Sequence, residues 1–236
     1  MSHPPLFAIN SWESEFFSRP IYQITNEGES LEYLPKGGKL LCAKVRASDI
    51  DTIDYLHSEG FHFHKGDMDF FVSSRNLSAI NKRVNNFLPI TSASESDVDS
   101  MVNRVGFLYE DSRFSAPYFC RKERDKFYDK WIENAFSKQF DTDFLVCRDI
   151  TGEVAGFITA RKISNLDVRI GLLGVYPKYQ GLGVAKNLIL TLHDIFSPAN
   201  LLVATQIENT NAINFYSKLD FKLRSTNYWF YRNDSI

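Results

Sequence analysis

The sequence predicts an α/β protein, of the α+β kind with a mixed sheet, and three observations indicate this class. From residue 88 onward, apolar runs of strand length alternate with amphipathic runs of helix length. A glycine-rich segment at residues 180–185 joins a buried strand to an amphipathic helix. A smaller set of similar elements precedes residue 75. Helices and strands that alternate in this way are typical of a sheet covered by helices.

Residues 1–75 are predicted to form a small N-terminal domain. Residues 1–20 are expected to be loop-like, because Pro4, Pro5 and Pro20 interrupt them. Further along, Asp49 is a suitable N-cap for a helix and Gly60 a suitable end. The predicted elements are strands at 21–25 and 40–45, a helix at about 50–59, and two strands within 61–73 that fold back at Gly66 and Asp67.

Residues 76–87 are predicted to be a linker, and residues 88–236 a second domain. Residues 94–97 carry a capping-box pattern before a helix. The predicted order of elements is β-α-α-β-β-β-α-β-α-β-β. They are a strand at 88–90, helices after 94 and at 121–136, strands at 144–147, 154–162 and 168–175, a helix after 183, a strand at 201–206, a helix at 210–219, and two strands within 221–231.

The two predicted domains share a weak internal similarity. Residues 40–45 (LLCAKV) match residues 201–206 (LLVATQ), and residues 53–61 match residues 213–221. Residues 68–71 (MDFF) likewise match residues 228–231 (YWFY). The similarity suggests an ancient duplication of a β-α-β-β unit in which the first copy is structural. Chance is the alternative, because such units are common.

Composition narrows the possible functions. The 236 residues carry a net charge of −2, which argues against a general binder of nucleic acid. No apolar run approaches the length of a membrane span, and the N-terminus lacks the pattern of a secretory signal. The three cysteines are scattered and odd in number, which is typical of reduced thiols. We therefore expect a cytoplasmic protein with buried, unreactive Cys42 and Cys147.

The segment Gln180-Gly181-Leu182-Gly183-Val184-Ala185 is predicted to hold a phosphate-bearing ligand at the start of a helix. Its small residues allow a close approach of the backbone. A dinucleotide fingerprint would need glycine at Lys186, and a Walker loop would need Gly-Lys-Ser/Thr, which is absent. A tight strand-to-helix turn without a ligand remains the alternative.

Two patterns in this half resemble the GCN5-related N-acetyltransferase (GNAT) family. Gln180, Gly183 and Ala185 fit the coenzyme A loop Arg/Gln-x-x-Gly-x-Gly/Ala. Further along, Asn209, Ala212, Tyr216 and Phe221 fit Asn-x-x-Ala-x-x-x-Tyr followed by Gly-Phe, with Asp220 in place of the glycine. The resemblance implies a GNAT domain preceded by a smaller, GNAT-half-like domain. It also implies acetyl-CoA as co-substrate and no metal.

The resemblance further implies roles for single residues. Tyr216 would act as the general acid that protonates the departing thiolate. The residues that would bind acetyl-CoA are Leu172, Leu173, Gly174, Val175, Gln180, Gly181, Leu182, Gly183, Val184, Ala185 and Asn209. A core tyrosine on an amphipathic helix is the alternative for Tyr216. The general base is left open, with an ordered water as the hypothesis, and a metal site at His62 and His64 is less expected than an exposed strand face.

A narrower resemblance concerns the acceptor. The segments RFSAPYF, FYDKWIENAF, RIGLLGV, VATQIENTNA and YWFYR are similar to GNAT members that acetylate the 4-amino group of a dTDP-linked 4-amino-4,6-dideoxygalactose. This implies that Arg113, Phe114 and Tyr118 bind the sugar nucleotide, in the synthesis of a surface polysaccharide such as lipopolysaccharide or O-antigen. A packed aromatic surface loop is the alternative for residues 113–118. A homodimer is possible. The alternatives are another small amine or a peptide amine as acceptor, or an acyl-CoA-binding sensor without catalysis.

Overall fold

The fold is built around one twisted mixed sheet. The computed structural model describes residues 5–80 and 89–234, and within these ranges ten strands form the sheet in the order β1-β2-β3-β10-β4-β9-β8-β7-β6-β5. The strands are β1 Leu6–Ile9, β2 Ile21–Thr25, β3 Lys39–Arg46, β4 His62–Val72, β5 Thr91–Ser92, β6 Asp143–Arg148, β7 Val154–Lys162, β8 Asp167–Val175, β9 Asn200–Gln206 and β10 Lys222–Asp234. Only the β2–β3 and β8–β9 neighbours are parallel among these strands.

Seven α-helices cover the two faces of this sheet in the described part of the chain. They are α1 Ser11–Phe16, α2 Ile50–Ser58, α3 Ser74–Ser78, α4 Glu95–Met101, α5 Arg121–Phe136, α6 Val184–Phe196 and α7 Thr210–Lys218. The large core contains Ile132 of α5 and Leu188 of α6. A smaller core on the other face of β3 contains Leu41 and Leu56. The mixed α/β class predicted from the sequence is therefore confirmed.

Several elements differ from the prediction. Residues 1–20 are not loop-like throughout, because β1 pairs with β2 and α1 is capped by the Asn10 side chain. The predicted fold-back at Gly66 and Asp67 is wrong, since β4 runs through both residues. The C-terminal strand is likewise continuous, with a bulge between Leu223 and Ser225 instead of a break. The strand expected at 88–90 lies at Thr91–Ser92. In β4 and in the C-terminal strand, long-range pairing overrides a local breaker signal, whereas the strand at Thr91–Ser92 begins only after Pro89.

The two similar units interlock in the sheet. The unit β3-α2-β4 has β10 inserted between its strands, and the unit β9-α7-β10 has β4 inserted between its strands. Asp67 pairs with Asn227, 160 positions later, at the crossing point. The pair Asp67–Gln206 has its counterpart in Asn227–Arg46. The arrangement is thus close to twofold symmetric, while a duplication in ancestry stays a hypothesis.

The predicted boundary between domains 1–75 and 88–236 also stays a prediction. Most of the linker predicted at 76–87 lies outside the described residues. The strands on its two sides belong to one sheet, because β10 pairs with β3 and β4. The two parts of the chain therefore share one continuous hydrogen-bonded layer.

Candidate active site

A cavity opens in the sheet where β8 and β9 separate. The two strands pair in register only from Asp167 to Arg169, opposite Asn200 to Leu202. Beyond this point residues 171–173 of β8 and 203–206 of β9 line a cavity of about 260 Å³. A gap between neighbouring strands leaves backbone donors and acceptors without ladder partners, so a ligand can pair with them. The sheet thus provides a cleft suited to an extended ligand.

Six of the predicted site residues line this cavity. They are Arg113, Phe114, Leu172, Leu173, Asn209 and Tyr216. Gly174, Val175, Tyr118 and the loop at 180–185 do not contribute to its lining. The structure therefore brings together residues from both predicted parts of the site, and places the glycine-rich loop beyond the C-terminal end of β8.

Tyr216 reaches the cavity from α7. Tyr216 and Ala212 lie four residues apart on one helical face, and both line the cavity. The Tyr216 ring packs against Phe70 and Phe221, with centroid distances of 5.9 and 5.3 Å. Burial raises the pKa of its phenol above the ordinary value of 10.0. Within the described residues its hydroxyl has no hydrogen-bond partner, so this side chain is a protonated donor that faces the cavity.

Asn209 begins α7 and caps it. Its Oδ1 accepts a hydrogen bond from the Ala212 N–H at 3.0 Å. The corresponding residue of the first unit, Asp49, caps α2 in the same way through the Thr52 N–H at 3.2 Å. Because the cap uses only the oxygen of Asn209, its amide nitrogen is the atom that can serve a ligand in the cavity.

A bulge distorts β8 beside the cavity. Gly171 and Leu172 stand opposite the single residue Thr159 of β7. The Leu172 N–H donates to Thr159 Oγ1 at 2.9 Å, and Thr159 in turn donates to Asp141 Oδ2 at 2.6 Å. A Cβ on Gly171 would lie 1.9 Å from the same Asp141 oxygen, so only glycine fits here. The N–H of Leu172 is therefore already used within the protein.

The buried Asp141 carboxylate stabilises this bulge. It also accepts hydrogen bonds from Trp131 Nε1 at 2.9 Å and from Arg161 Nη1 at 2.7 Å. Its side chain is fully buried, and these donors with Thr159 satisfy it. Trp131 lines the cavity, so Asp141 connects the bulge to the cavity wall.

The glycine-rich loop has the backbone that a phosphate site requires. Gly181 and Gly183 adopt φ of +77° and +85°, which glycine tolerates and most residues do not. Gly183 is the N-cap of α6. Because glycine has no side chain, it leaves the first N–H groups of this helix without a side-chain cap. Gln180 turns back to donate from Nε2 to the Val175 carbonyl at 3.2 Å, which holds the loop against the end of β8.

The three residues predicted to bind the acceptor make internal contacts. Arg113 donates from Nη1 to the Tyr231 hydroxyl at 2.7 Å and forms an ion pair with Glu13. Burial alone would lower the pKa of Arg113, but Tyr231 and Glu13 outweigh it and raise the pKa, so the guanidinium stays charged. Phe114 packs among core aromatic rings, and the Tyr118 hydroxyl donates to the Tyr231 carbonyl. Their roles as substrate ligands stay predictions.

Sequence reasoning missed a buried carboxylate in the cavity wall. Asp67 accepts hydrogen bonds from Asn227 Nδ2 and Trp229 Nε1, each at 3.0 Å, and pairs with Lys44 Nζ at 2.9 Å. It was missed because Gly66 and Asp67 are typical turn residues, whereas the structure keeps both within β4. Trp131, Trp229 and Asp111 also line the cavity without having been predicted to do so. Trp131 and Trp229 belong to the segments FYDKWIENAF and YWFYR that carried the narrower resemblance, but no site role was predicted for them or for Asp111.

Among the described residues, no cysteine or histidine lines the cavity. Cys42 and Cys147 are buried as predicted, and burial raises the pKa of their thiols to about 12 and about 11. His62 is exposed, while His64 is half-buried and contacts the Arg113 carbonyl at 3.1 Å. Over residues 5–80 and 89–234, no group of His, Cys, Asp or Glu side chains is arranged to hold a metal ion. In the same ranges, no helix has both the length and the apolar character to cross a bilayer.

Comparisons with known proteins agree with this geometry. Residues 107–221 match the acetyltransferase (GNAT) family. The chain is 31% identical over 229 residues to a dTDP-fucosamine acetyltransferase of Escherichia coli O6:H1, covering 94% of this chain and 96% of the relative. Among solved structures, a tandem GNAT protein from the clavulanic acid biosynthesis pathway superposes with a TM-score of 0.62 at 11% identity, covering 92% of this chain and 76% of that one. A conserved protein of unknown function from Staphylococcus epidermidis gives 0.62 at 12% identity, covering 84% and 73%.

Proposed function

This chain belongs to the acetyltransferase (GNAT) family, and we propose that it transfers the acetyl group of acetyl-CoA to the amino group of a dTDP-linked amino-dideoxy sugar. The observation that carries the proposal is the cavity between β8 and β9, which Tyr216, Asn209 and residues 171–173 line together. The acceptor follows from the E. coli relative, whose likeness extends along nearly the whole chain. By that likeness the acceptor is the 4-amino group of dTDP-4-amino-4,6-dideoxygalactose, and the product enters a surface polysaccharide.

The site residues fit acetyl-CoA. The cleft between β8 and β9 is open to an extended pantetheine arm, which would pair with backbone groups from Leu173 to Val175. The loop at 180–185 would hold the pyrophosphate at the start of α6, since its glycines leave open space above Gly181. The amide nitrogen of Asn209 is the donor left for the arm. Acetyl-CoA would supply the activated acetyl group as a thioester.

Tyr216 is the proposed general acid. Its raised pKa keeps the proton on the phenol at neutral pH, so the group is in the form that an acid needs. The Leu172 N–H already donates to Thr159 Oγ1. We therefore propose that a backbone N–H from the segment Leu173 to Val175 donates to the thioester oxygen. Arg113, Phe114 and Tyr118 remain the proposed acceptor residues, and a cytoplasmic location and a homodimer remain part of the proposal.

Thiol release from acetyl-CoA tests the proposed reaction. The purified chain is supplied with the dTDP-linked 4-amino sugar, its C4 epimer, the 3-amino isomer and a peptide amine, and product mass is followed. Turnover with the first sugar, and gain of one acetyl group on it, is the expected result. Turnover only with the peptide amine would instead establish a different acceptor. Tight CoA binding without turnover on any amine would indicate an acyl-CoA sensor.

The variant Tyr216→Phe tests the acid role separately. We expect kcat to fall about 100-fold or more, because a positioned proton donor contributes at least that factor. The affinity for CoA, measured by calorimetry, should stay within about twofold, since the hydroxyl acts in the transition state. Tyr55→Phe on α2, next to the position that corresponds to Tyr216, is the matched control. An unchanged kcat for Tyr216→Phe would remove this role.

A further inference from the structure

The last residue of β9, Gln206, lines the cavity and has an amide oxygen without a partner. The pairing of β9 with β8 stops at Leu202, so Gln206 lies where the two strands have separated. Its Oε1 is buried and, within the described residues, makes no hydrogen bond. Because buried polar atoms are nearly always paired in native proteins, this oxygen calls for a partner that a ligand of the cavity would supply.

Strand register places Gln206 next to Asp67. The two residues stand opposite each other on β9 and β4, so their side chains share one face of the sheet. Asp67 cannot satisfy the Gln206 oxygen, since a carboxylate accepts hydrogen bonds and has none to donate. The partners of the Asp67 carboxylate are Asn227, Trp229 and Lys44. The Gln206 oxygen is therefore left for a donor that comes from the cavity.

The cavity reaches both faces of the sheet. Tyr216 packs against Phe70, which lies three positions after Asp67 in β4, so Tyr216 and Asp67 lie on opposite faces. Arg113 lies on the Asp67 face, because its guanidinium carbon is 4.1 Å from the centroid of the Trp229 ring and Trp229 donates to Asp67. Tyr216, Asp67 and Arg113 all line the cavity. An acyl donor beside Tyr216 and an acceptor on the Asp67 face can therefore meet in the gap between β8 and β9.

We propose that Gln206 is a substrate-binding residue whose Oε1 accepts a hydrogen bond from the attacking amino group and so directs its nitrogen toward the thioester carbon. The inference rests on the proposed function and adds the residue that holds the acceptor amine. The last torsion of a glutamine side chain is soft, which allows the amide to turn its oxygen to such a ligand. An amine held through one N–H keeps its lone pair free for attack.

A neutral amide suits this step chemically. As the carbon–nitrogen bond forms, the nitrogen becomes positive, and the Gln206 oxygen stabilises that charge until one proton passes to solvent. The carbon–sulfur bond then breaks, and the sulfur keeps the electron pair and takes the Tyr216 proton. An unpaired carboxylate in place of the amide would favour the protonated ammonium, which cannot attack. Gln206 therefore binds the amine without removing its nucleophilic form.

Two sugars and two proteins test the hydrogen bond directly. The parent and Gln206→Met are titrated by calorimetry, in the presence of CoA, with the dTDP-linked 4-amino sugar and with the analogue that has hydrogen in place of the amino group. The parent should bind the amino sugar about 10-fold more tightly than the analogue, and Gln206→Met should bind the two within about twofold. Gln206→Glu keeps an oxygen at this place and should retain the preference for the amino sugar.

Kinetics and stability separate this role from a structural one. Gln206→Met should raise KM for the amino sugar about 10-fold, while KM for acetyl-CoA and the affinity for CoA stay within about twofold of the parent. Its midpoint of urea unfolding should not fall, because the substitution removes an unpaired polar group. Gln139→Met, at an exposed position outside the cavity lining, is the matched control and should leave every one of these quantities unchanged.

The outcomes distinguish this inference from the proposed function. An equal preference for the amino sugar in the parent and in Gln206→Met, or no preference in the parent, would overturn the role of Gln206 alone. A lower unfolding midpoint for Gln206→Met with its sugar preference intact would show a structural role instead. If another amine proves to be the acceptor, that amine and its analogue without the amino group replace the two sugars. Absence of turnover with every amine overturns the inference together with the proposed function.

Discussion

Asp67 and Asn227 face each other on neighbouring strands, and the Asn227 amide donates to the Asp67 carboxylate at 3.0 Å. One residue comes from each of the two similar units, and the pair lies where the units cross. Asp67 also lines the cavity that contains Tyr216. The Asp67 carboxylate therefore belongs both to the contact between the units and to the wall of the candidate active site.

Removal of the Asp67 carboxylate should weaken the whole fold. Asp67→Ala leaves the buried Trp229 donor unpaired, leaves the Asn227 amide with only its second acceptor, Asp69, and frees Lys44. We expect the free energy of unfolding in urea to fall by about 3 kcal/mol. Asp54→Ala, on the exposed side of α2, is the control and should change it by less than about 0.5 kcal/mol. Equal stability of the two variants would show that the Asp67 contacts contribute nothing net.

A substitution in the glycine-rich loop should affect acetyl-CoA binding specifically. Gly183 has φ of +85°, where an alanine costs about 1–2 kcal/mol, and relief of this strain would move the start of α6. We expect Gly183→Ala to raise KM for acetyl-CoA about 10-fold while kcat changes little. Gly152→Ala is a matched control, because Gly152 has φ of +89° and open surroundings in the β6–β7 turn. Both variants should lose similar stability, and a similar rise in KM for Gly152→Ala would contradict a phosphate site at Gly183.

The acid role of Tyr216 predicts a particular pH profile. Burial raises the pKa of this phenol above its ordinary value of 10.0, so its proton stays bound as the pH rises toward that value. With both substrates saturating, kcat should therefore show no loss attributable to Tyr216 between about pH 8 and about pH 10. Steady-state rates across this range provide the measurement. The prediction would be contradicted if kcat of the parent fell near pH 10 while the remaining kcat of Tyr216→Phe did not.

The ion pair of Asp97 and Arg148 predicts a pH-dependent stability. Burial by itself would raise the pKa of Asp97, but hydrogen bonds from Arg148 and Ser94 outweigh it and lower the pKa below 3.8. Because the pKa of Asp97 is lower in the folded than in the unfolded state, its carboxylate stabilises the fold fully at any pH above the unfolded-state pKa. This stabilisation is lost as the pH falls through the folded-state pKa. Arg148→Gln should thus cost about 2 kcal/mol of unfolding free energy at neutral pH and less at about pH 3.

Urea unfolding of the parent and of Arg148→Gln at both pH values is the measurement. Arg104→Gln serves as control, since the Arg104 pair with Glu153 is long, at 3.8 Å, and largely exposed. That control should show little difference from the parent at either pH. If Arg148→Gln loses the same free energy of unfolding at both pH values, the carboxylate charge of Asp97 does not contribute to stability.

Local patterns in the sequence were sufficient for much of the second half of the chain. The helix at 121–136 and the strand at 154–162 were predicted with the bounds that the structure shows. Asp49 and Ser94 cap helices as predicted, because a cap depends only on residues within one turn. The glycines at 181 and 183 adopt the positive φ that their spacing suggested. Each of these features depends on contacts close in sequence.

Tertiary structure alone decided how distant segments meet. Strand β10 lies between β3 and β4, so residues of the first 75 positions flank the C-terminal strand, and no local periodicity determines such an order. The same pairing keeps Gly66 and Asp67 in a strand and brings Asp67 into the cavity with Tyr216. Arg113 is likewise paired with Glu13, a hundred positions away. By itself the sequence determined most helices and strands of the second half, the glycine-rich loop and the family resemblance. The composition of the cavity wall depended on packing and strand register, which arise only when the whole sheet forms.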